Sequence, residues 1–275
     1  MDIRKEHRHK ETGIMRHPPE NPSQTRTHSW RKAPSRLSPW NATQIPNLWD
    51  KVVIITGATS GIGRALTEFL AGKRAQVIMA VRNLEKARHV AADIRQTLPD
   101  ARLDIRELEL SNMDSIHRFA HGFLADYTQL NVLINNAGVM ACPYEQTEDG
   151  VEIHMATNHL GHFALSGLML PLLRSTRGSR VVNTSSIGHR MGKIDFSDFH
   201  WNRRSYHSTQ AYADSKLANL YFTYEFARRV SGEDSQMGVG AEEGAGVGVG
   251  VGAEKGAEEG AEVGTEVGAE EGAEV

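Results

Sequence analysis

The feature that most restricts the fold of this chain is a regular alternation of short apolar runs with longer amphipathic stretches over residues 50–230. A continuous apolar run such as 52–55 is typical of a strand that is buried on both faces. The expected strands are 51–56, 75–81, 102–108, 132–134 and 180–183, and the expected helices are 62–72, 84–98, 113–127, 149–174 and 211–230. Strands that alternate with helices predict an α/β fold, a doubly wound parallel sheet covered by helices on both faces.

Charge and glycine divide the chain of 275 residues into three parts. The net charge is +5 over residues 1–49, +3 over 50–230 and −11 over 231–275. The first part is a basic Pro/Ser-rich leader with few apolar residues, and we expect it to be disordered. In the last part glycine recurs at every fourth position from Gly240 to Gly272. Because each glycine costs a helix close to ~1 kcal/mol, this acidic Gly-Ala-Glu repeat is also expected to be disordered.

Composition excludes several classes of protein. The single cysteine, Cys142, rules out an internal disulfide and a cysteine-based metal cluster, and it fits a reducing compartment. No transmembrane anchor and no secretory signal is visible, because no apolar run approaches the ~18 residues of a spanning helix. The positive excess of the basic leader is modest, so we expect no nucleic-acid partner. These features predict a cytoplasmic protein, free or in contact with a membrane.

A glycine-rich turn follows the first expected strand and opens the first expected helix. It reads Thr-Gly-Ala-Thr-Ser-Gly-Ile-Gly at 56–63. Glycines allow a tight turn and close approach of the backbone to a pyrophosphate, and the free N–H groups of the helix point at that anion. The motif therefore predicts a dinucleotide site in a Rossmann-type domain over 50–230, lined by Gly57, Ser60, Gly61, Ile62 and Gly63.

The ends of the next strands indicate which cofactor binds. Arg82 stands where NAD-binding folds usually place an acid for the ribose hydroxyls, and an arginine can pair with a 2′-phosphate. We therefore favour NADP over NAD as the cofactor. Small, acidic and amide residues at two further strand ends suit contact with the adenine and its ribose, and they are Glu109, Leu110, Asn136, Ala137 and Gly138.

The last helix carries the candidate catalytic pair. Tyr212 and Lys216 are four residues apart and share one helix face. An ammonium beside a phenol favours the phenolate and lowers the tyrosine pKa from ~10, which suits a general acid and base. Ser186 follows the fifth strand and could hold a carbonyl oxygen.

Together these residues resemble the short-chain dehydrogenase/reductase family over about 45–230. The matching motifs are 56–63, Asn-Asn-Ala-Gly at 135–138, Asn158, Ser186 and Tyr-x-x-x-Lys at 212–216. Residues 132–140, 158–163 and 215–219 resemble the retinol-dehydrogenase and protochlorophyllide-reductase-like branch.

The resemblance implies a role for each catalytic candidate. Tyr212 would exchange the proton with the substrate, and Lys216 would lower the tyrosine pKa and hold the nicotinamide ribose. Ser186 would orient the carbonyl, and Asn158 would anchor a water relay. It also implies that no metal is needed, that the substrate is a small alcohol or carbonyl compound, and that a homodimer forms through the helices near 149–174 and 208–230.

The chain departs from the family's pattern in two places. Glu109 stands where the family usually has aspartate, and after Val230 the acidic repeat takes the place of a sixth strand and a Pro-Gly turn. The sheet is therefore expected to be incomplete at its C-terminal edge. Two alternative functions fit these features. The first is an NADP-dependent oxidoreductase that interconverts an alcohol and a carbonyl on a lipophilic retinoid-, steroid- or xenobiotic-like molecule. The second is a catalytically silent nucleotide-binding or interaction module.

Overall fold

The structure, a computed structural model, describes residues 44–230. The expected disorder of the acidic repeat, and of residues 1–43 of the leader, falls on residues that lie outside this range. Residues 44–49, which the prediction assigns to the leader, lie within it. There the Leu48 N–H donates to the Lys73 carbonyl at 2.7 Å, and the Trp49 ring packs against Arg74 and Arg102. The five strands form one parallel sheet in the order β3-β2-β1-β4-β5. They are β1 Val52–Thr56, β2 Gln76–Val81, β3 Leu103–Glu107, β4 Val132–Asn135 and β5 Arg180–Asn183. This is the expected doubly wound α/β fold.

Five α-helices and two short helical turns connect and flank the strands. The helices are α1 Gly61–Gly72, α2 Leu84–Thr97, α3 Met113–Asp126, α4 Gly161–Ser175 and α5 Ser208–Val230. A π-helical turn, Met155–Leu160, leads into α4, and a 3-10 turn, Ile187–Met191, follows β5. Within residues 44–230, no helix combines the length and the apolarity that crossing a bilayer requires.

The start of the fourth helix differs from the sequence prediction. The pattern predicts a helix from 149, whereas helical backbone begins at Ile153. Gly150 has a φ of 73° in a turn, and Glu152 pairs with Gln146 in an isolated antiparallel bridge. The carboxylate of Glu152 then accepts the backbone N–H of Met155 at 2.8 Å, which caps the new helix. The last helix begins at Ser208, three residues before the predicted start at 211.

Two apolar layers hold the sheet between its helices. Alternate residues of β1 point to opposite faces, so Ile54 packs with α3, α4 and α5, and Ile55 packs with α1 and α2. Both side chains are fully buried. Within the described residues β5 is an edge strand, and its Val182 is 40% exposed. The sheet is therefore partial on this side, as the sequence predicts.

The order of the strands places a crevice between β1 and β4. The chain moves outward from β1 to β2 and β3, then returns to the other side of β1 for β4 and β5. Ligands of open parallel sheets bind where the order reverses, beyond the carboxyl ends of the strands. Residues 56–63 and 135–138 meet at this point.

Candidate active site

A threonine hydroxyl joins the two strand ends of the crevice. The Oγ1 of Thr56 accepts the backbone N–H groups of Asn136 and Ala137, each at 2.9 Å. The side-chain amide of Asn136 returns a bond to the Thr56 carbonyl at 3.0 Å. These bonds fix the glycine-rich turn after β1 against the Asn-Asn-Ala-Gly segment after β4, so the predicted cofactor residues are held as one unit.

His162 lies beneath this junction and completes its hydrogen bonding. Its Nε2 is 2.8 Å from Thr56 Oγ1, and its Nδ1 is 2.9 Å from the carbonyl oxygen of Asn158. Burial lowers the pKa of His162 to about 4, so the ring is neutral. A carbonyl only accepts, which assigns the proton to Nδ1 and leaves Nε2 to accept the Thr56 hydroxyl. The sequence prediction did not include His162, although it lies four residues from Asn158 on a predicted helix.

Glycine suits three positions of the turn, each for a different structural reason. Gly57 has a φ of 67°, and a Cβ there would lie 2.9 Å from Ala137 Cα. Gly61 has a φ of 46° beside open space. A Cβ on Gly63 would collide with the carbonyl oxygen of Gly57. The first two permit a left-handed turn, and the third allows α1 to pack closely on the turn.

The N-terminus of α1 is suited to an anion. Ser60 occupies the N-cap position but makes no side-chain cap bond, and Ile62 beside it is 66% exposed. By contrast, α2 and α3 are capped by the side chains of Asn83 and Asn112. The first N–H groups of α1 therefore point beyond the turn without a capping side chain, and the residues fit the diphosphate of a dinucleotide.

Arg82 and Glu109 stand side by side at the ends of β2 and β3. Their Nε and Oε2 atoms are 3.5 Å apart, and the Arg82 side chain is 77% exposed. The other Glu109 oxygen accepts from Ser111, so the carboxylate is held in place. Leu110, in contrast, is buried in the core, where its carbonyl packs against Gly161. Its apolar side chain therefore packs in the core beneath this edge of the sheet.

Ser186 and Tyr212 approach each other across Gly188. A Cβ on Gly188 would lie 3.4 Å from both Ser186 Oγ and Tyr212 Cε1, so glycine leaves room between the 3-10 turn and α5. Ser186 Oγ accepts the N–H of Gly188 at 3.1 Å. That bond uses a lone pair of the hydroxyl and leaves its hydrogen free to donate.

Lys216 lies one turn beyond Tyr212 and is buried. Its Nζ is 5.6 Å from the centre of the Tyr212 ring and donates to the Thr184 carbonyl at 3.3 Å. Burial lowers the pKa of Lys216 to about 8. A Cβ on Gly138 would stand 3.4 Å from Nζ, so the ammonium lies against the Asn-Asn-Ala-Gly segment.

Asn158 ties the π-helical turn to the same segment. Its amide donates to the Val139 carbonyl at 3.0 Å and to Ser215 Oγ at 2.9 Å, and its Oδ1 accepts the Val139 N–H at 2.8 Å. The structure thus brings together the four residues predicted to be catalytic. Within residues 44–230, no group of three or more His, Cys, Asp or Glu side chains forms a candidate metal site.

A parallel sheet with a dinucleotide crevice beside a Ser–Tyr–Lys group defines the nicotinamide-dependent oxidoreductases of the Rossmann type. Residues 51–200 match the short chain dehydrogenase family. The chain belongs to this family.

Its curated relatives include human retinol dehydrogenase 11, 46% identical over 196 residues, which cover 71% of this chain and 61% of the relative. Human retinol dehydrogenase 12 is 48% identical over 182 residues, 66% of this chain and 57% of the relative. The chain thus spans about three fifths of the length of these relatives.

Solved structures agree with this assignment. A crystal structure of an uncharacterised protein from Mycobacterium paratuberculosis is 44% identical, with a TM-score of 0.63, over 70% of this chain and 67% of that one. A short chain dehydrogenase from Shigella flexneri, complexed with NADP, is 27% identical, with a TM-score of 0.53, over 67% of this chain and 73% of its own.

Proposed function

We propose that this protein is an NADP-dependent oxidoreductase that interconverts an alcohol and a carbonyl on a lipophilic small molecule of the retinoid type. The observation that carries the proposal is the convergence of Ser186, Tyr212 and Lys216 beside the glycine-rich turn. A Tyr-x-x-x-Lys pair is common on helices and does not by itself indicate a catalytic site. Placed against Gly138 and the buried Asn158, it lies where a nicotinamide ribose would be held.

The proton chemistry follows from the bonds of the three side chains. The Tyr212 hydroxyl would give its proton to the carbonyl oxygen in reduction and recover it in oxidation. The nearby Lys216 ammonium stabilises the phenolate that this transfer leaves. Ser186, with its hydrogen free, would donate to the same carbonyl oxygen and orient it. A bound NADP(H) would supply or accept the hydride, so this chemistry requires no metal.

The cofactor would lie across the crevice. The diphosphate would contact the turn at Gly57, Ser60, Gly61, Ile62 and Gly63. Asn136, Ala137 and Gly138 would line the adenosine and nicotinamide riboses together with Lys216. Arg82 would receive the 2′-phosphate. The NADP and NADPH bound to similar short chain dehydrogenases support this choice of cofactor.

The substrate class rests on relatives and on exposed apolar residues. The relatives are named retinol dehydrogenases. Met140, two residues beyond Gly138, is 70% exposed, and Ile187 and Met191 on the turn after Ser186 are each 60% exposed. Apolar side chains that flank the reacting hydroxyls suit a lipophilic substrate.

A homodimer and a cytoplasmic location are further parts of the proposal. Phe163 on α4 and Tyr221 on α5 are 55% and 57% exposed, and such aromatic residues are typical of interfaces. Light scattering of the purified chain would measure its mass. A dimer that Phe163→Ser converts to a monomer supports this interface, and a monomeric wild-type protein contradicts it.

Arg82 provides the test of cofactor choice. In Arg82→Asp we expect the affinity for NADPH to fall by about tenfold or more, because a carboxylate replaces the partner of the 2′-phosphate. The affinity for NADH should be equal or higher. Fluorescence titration measures both dissociation constants, and Arg88→Asp on the exposed side of α2 is the control for net charge. Unchanged selectivity in Arg82→Asp would remove its proposed role.

Turnover separates the enzyme from a silent nucleotide-binding module. With the full chain, NADPH and all-trans-retinal, chromatography of the extracted retinoids measures the retinol formed, and an active enzyme should form retinol that Tyr212→Phe does not form. A chain that binds NADPH tightly but turns over neither retinal nor a smaller aldehyde favours the silent module instead.

A further inference from the structure

A buried carboxylate and imidazole lie beside the proposed catalytic tyrosine and take no part in the mechanism above. Glu152 and His154 are 1% and 0% exposed. Glu152 Oε1 is 2.6 Å from His154 Nδ1, while Oε2 accepts the N–H of Met155 at 2.8 Å. Burial alone would raise the pKa of Glu152, but the hydrogen bonds from His154 and from the backbone hold it below its usual value. The carboxylate is therefore ionised and fixed.

Tyr206 closes this group from the opposite side. Its hydroxyl donates to Glu152 Oε1 at 2.9 Å and lies 3.3 Å from the backbone carbonyl of Cys142. The other nitrogen of His154, Nε2, accepts the backbone N–H of Cys142 at 3.2 Å. Glu152, His154 and Tyr206, which we call the Glu152 clamp, therefore bind the backbone N–H of Cys142 and lie beside its carbonyl group.

The clamp joins two loop segments, 140–146 and 200–206. Tyr144 and Tyr206 pack with their ring centroids 5.0 Å apart, and the Tyr144 hydroxyl donates to the carbonyl of His200. Gln146 also donates to Asn202 at 2.9 Å. The first segment follows β4, and the second leads into α5.

Each segment contains a strained residue that contacts or adjoins the clamp. Ala141, next to Cys142, has a φ of 55°, and Trp201 has a φ of 59°. Left-handed backbone costs a non-glycine residue about 1–2 kcal/mol, so neighbouring contacts must maintain it. The Trp201 ring packs edge-on against Tyr206 at 5.4 Å. The clamp is thus in a position to maintain both conformations.

The clamp also contacts the reacting group. The ring of His154 meets that of Tyr212 edge-on, with the centroids 6.4 Å apart. The segment that the clamp fixes contains Met140, which is 70% exposed and two residues beyond Gly138. A change in the clamp would therefore move a wall of the substrate site relative to Tyr212.

We propose that Glu152, His154 and Tyr206 are positioning residues that fix segments 140–146 and 200–206 around Tyr212 and thereby determine substrate affinity. This inference rests on the proposed function for its kinetic consequence, but the positioning itself is measurable without turnover. Cys142 is the only cysteine of the chain, so the rate at which its thiol reacts reports on the clamped segment directly.

The first experiment measures thiol labelling of the full chain. In Tyr206→Phe, which keeps the ring and removes the hydroxyl, labelling of Cys142 by a maleimide should accelerate by about tenfold, the effect of losing a bond to a charged group. Tyr224→Phe, on the exposed surface of α5, is the matched control and should label at the wild-type rate. Hydrogen exchange of the β1 amides should stay unchanged.

Glu152→Gln is a second variant in case Tyr206→Phe does not fold. Glutamine replaces one of the two oxygens that accept hydrogen bonds with an NH2 group, which donates. Glu152→Gln should therefore also accelerate labelling of Cys142. Unchanged labelling in the folded variants overturns the proposal. Acceleration matched by equally faster exchange in β1 overturns it too, because that result means general destabilisation.

The second experiment separates substrate binding from chemistry. The KM for all-trans-retinal should rise about tenfold in Tyr206→Phe, whereas kcat and the dissociation constant of NADPH should stay within about twofold. Unchanged KM contradicts the proposal, as does an equal loss of NADPH affinity. A wild-type chain without turnover would refute the proposed function instead. Thiol labelling alone would then test whether the Glu152 clamp fixes the two segments.

Discussion

At the scale of single residues, the site depends on one hydroxyl that makes bonds in three directions. Thr56 accepts two backbone N–H groups of the β4 end and donates to a neutral, buried His162. The sequence places Thr56 in a glycine-rich motif, but it gives no sign of the acceptor 106 residues away. The partner of a buried hydroxyl is fixed by the packing of α4 against the sheet, which a linear pattern does not contain.

Replacing Thr56 tests this bonding directly. Thr56→Val keeps the shape and leaves two N–H groups without their acceptor, so the free energy of unfolding should fall by about 2 kcal/mol or more. Thr56→Ser keeps the hydroxyl and should lose about 1 kcal/mol for one methyl group. Urea unfolding measures both. Equal losses in the two variants would show that the hydroxyl contributes little.

Lys216 should give the site a defined dependence on pH. Burial lowers its pKa from 10.5 to about 8, so between these values the unfolded chain binds more protons than the folded one. The contribution of Lys216 to stability therefore rises as the pH increases from 8 towards 10.5 and falls as the pH decreases through 8.

Lys216→Met removes this titration and serves as the reference. The stability of wild type relative to Lys216→Met should increase steadily from pH 7.5 to 10, as measured by urea unfolding at each pH. A difference that is independent of pH over this range would mean that the lysine pKa is not shifted.

At the scale of elements, apolar periodicity predicts the strands and most helix bounds well, since buried runs and amphipathic stretches report burial directly. The fourth helix is the exception. Residues 149–152 fit a helical pattern, but a glycine at positive φ and the capping carboxylate of Glu152 delay the start to Ile153. The roles of Glu152, His154 and Tyr206 are likewise not evident in the sequence, because Tyr206 lies 54 residues from the carboxylate it contacts.

The packing of α1 on the glycine-rich turn can be tested with two glycines in helices. Alanine is better than glycine inside a helix by about 0.5–1 kcal/mol, so Gly122→Ala in α3, whose Cβ would meet only Arg106 Nη1 at 3.9 Å, should stabilise the protein by that amount. Gly63→Ala should destabilise it, because the added Cβ collides with the Gly57 carbonyl. Thermal unfolding compares the two variants, and a stabilised Gly63→Ala protein would contradict the close contact.

At the scale of the whole molecule, one crevice organises the proposed function. The residues proposed to bind phosphate, to hold the ribose and to transfer the proton lie far apart in the chain, and they meet because the strand order reverses at β1. Their order along the sequence predicts the family, and the sheet explains why these positions carry the chemistry.

The reaction that we propose for this site is hydride transfer between NADPH and a carbonyl carbon. We would incubate the full chain with NADPH that carries deuterium at both C4 positions of the nicotinamide and with all-trans-retinal, then analyse the retinol by mass spectrometry. We expect retinol that carries one deuterium with the wild-type chain and no deuterated retinol with Tyr212→Phe. A wild-type chain that binds NADPH but produces no deuterated retinol, and reduces no other aldehyde, would contradict it.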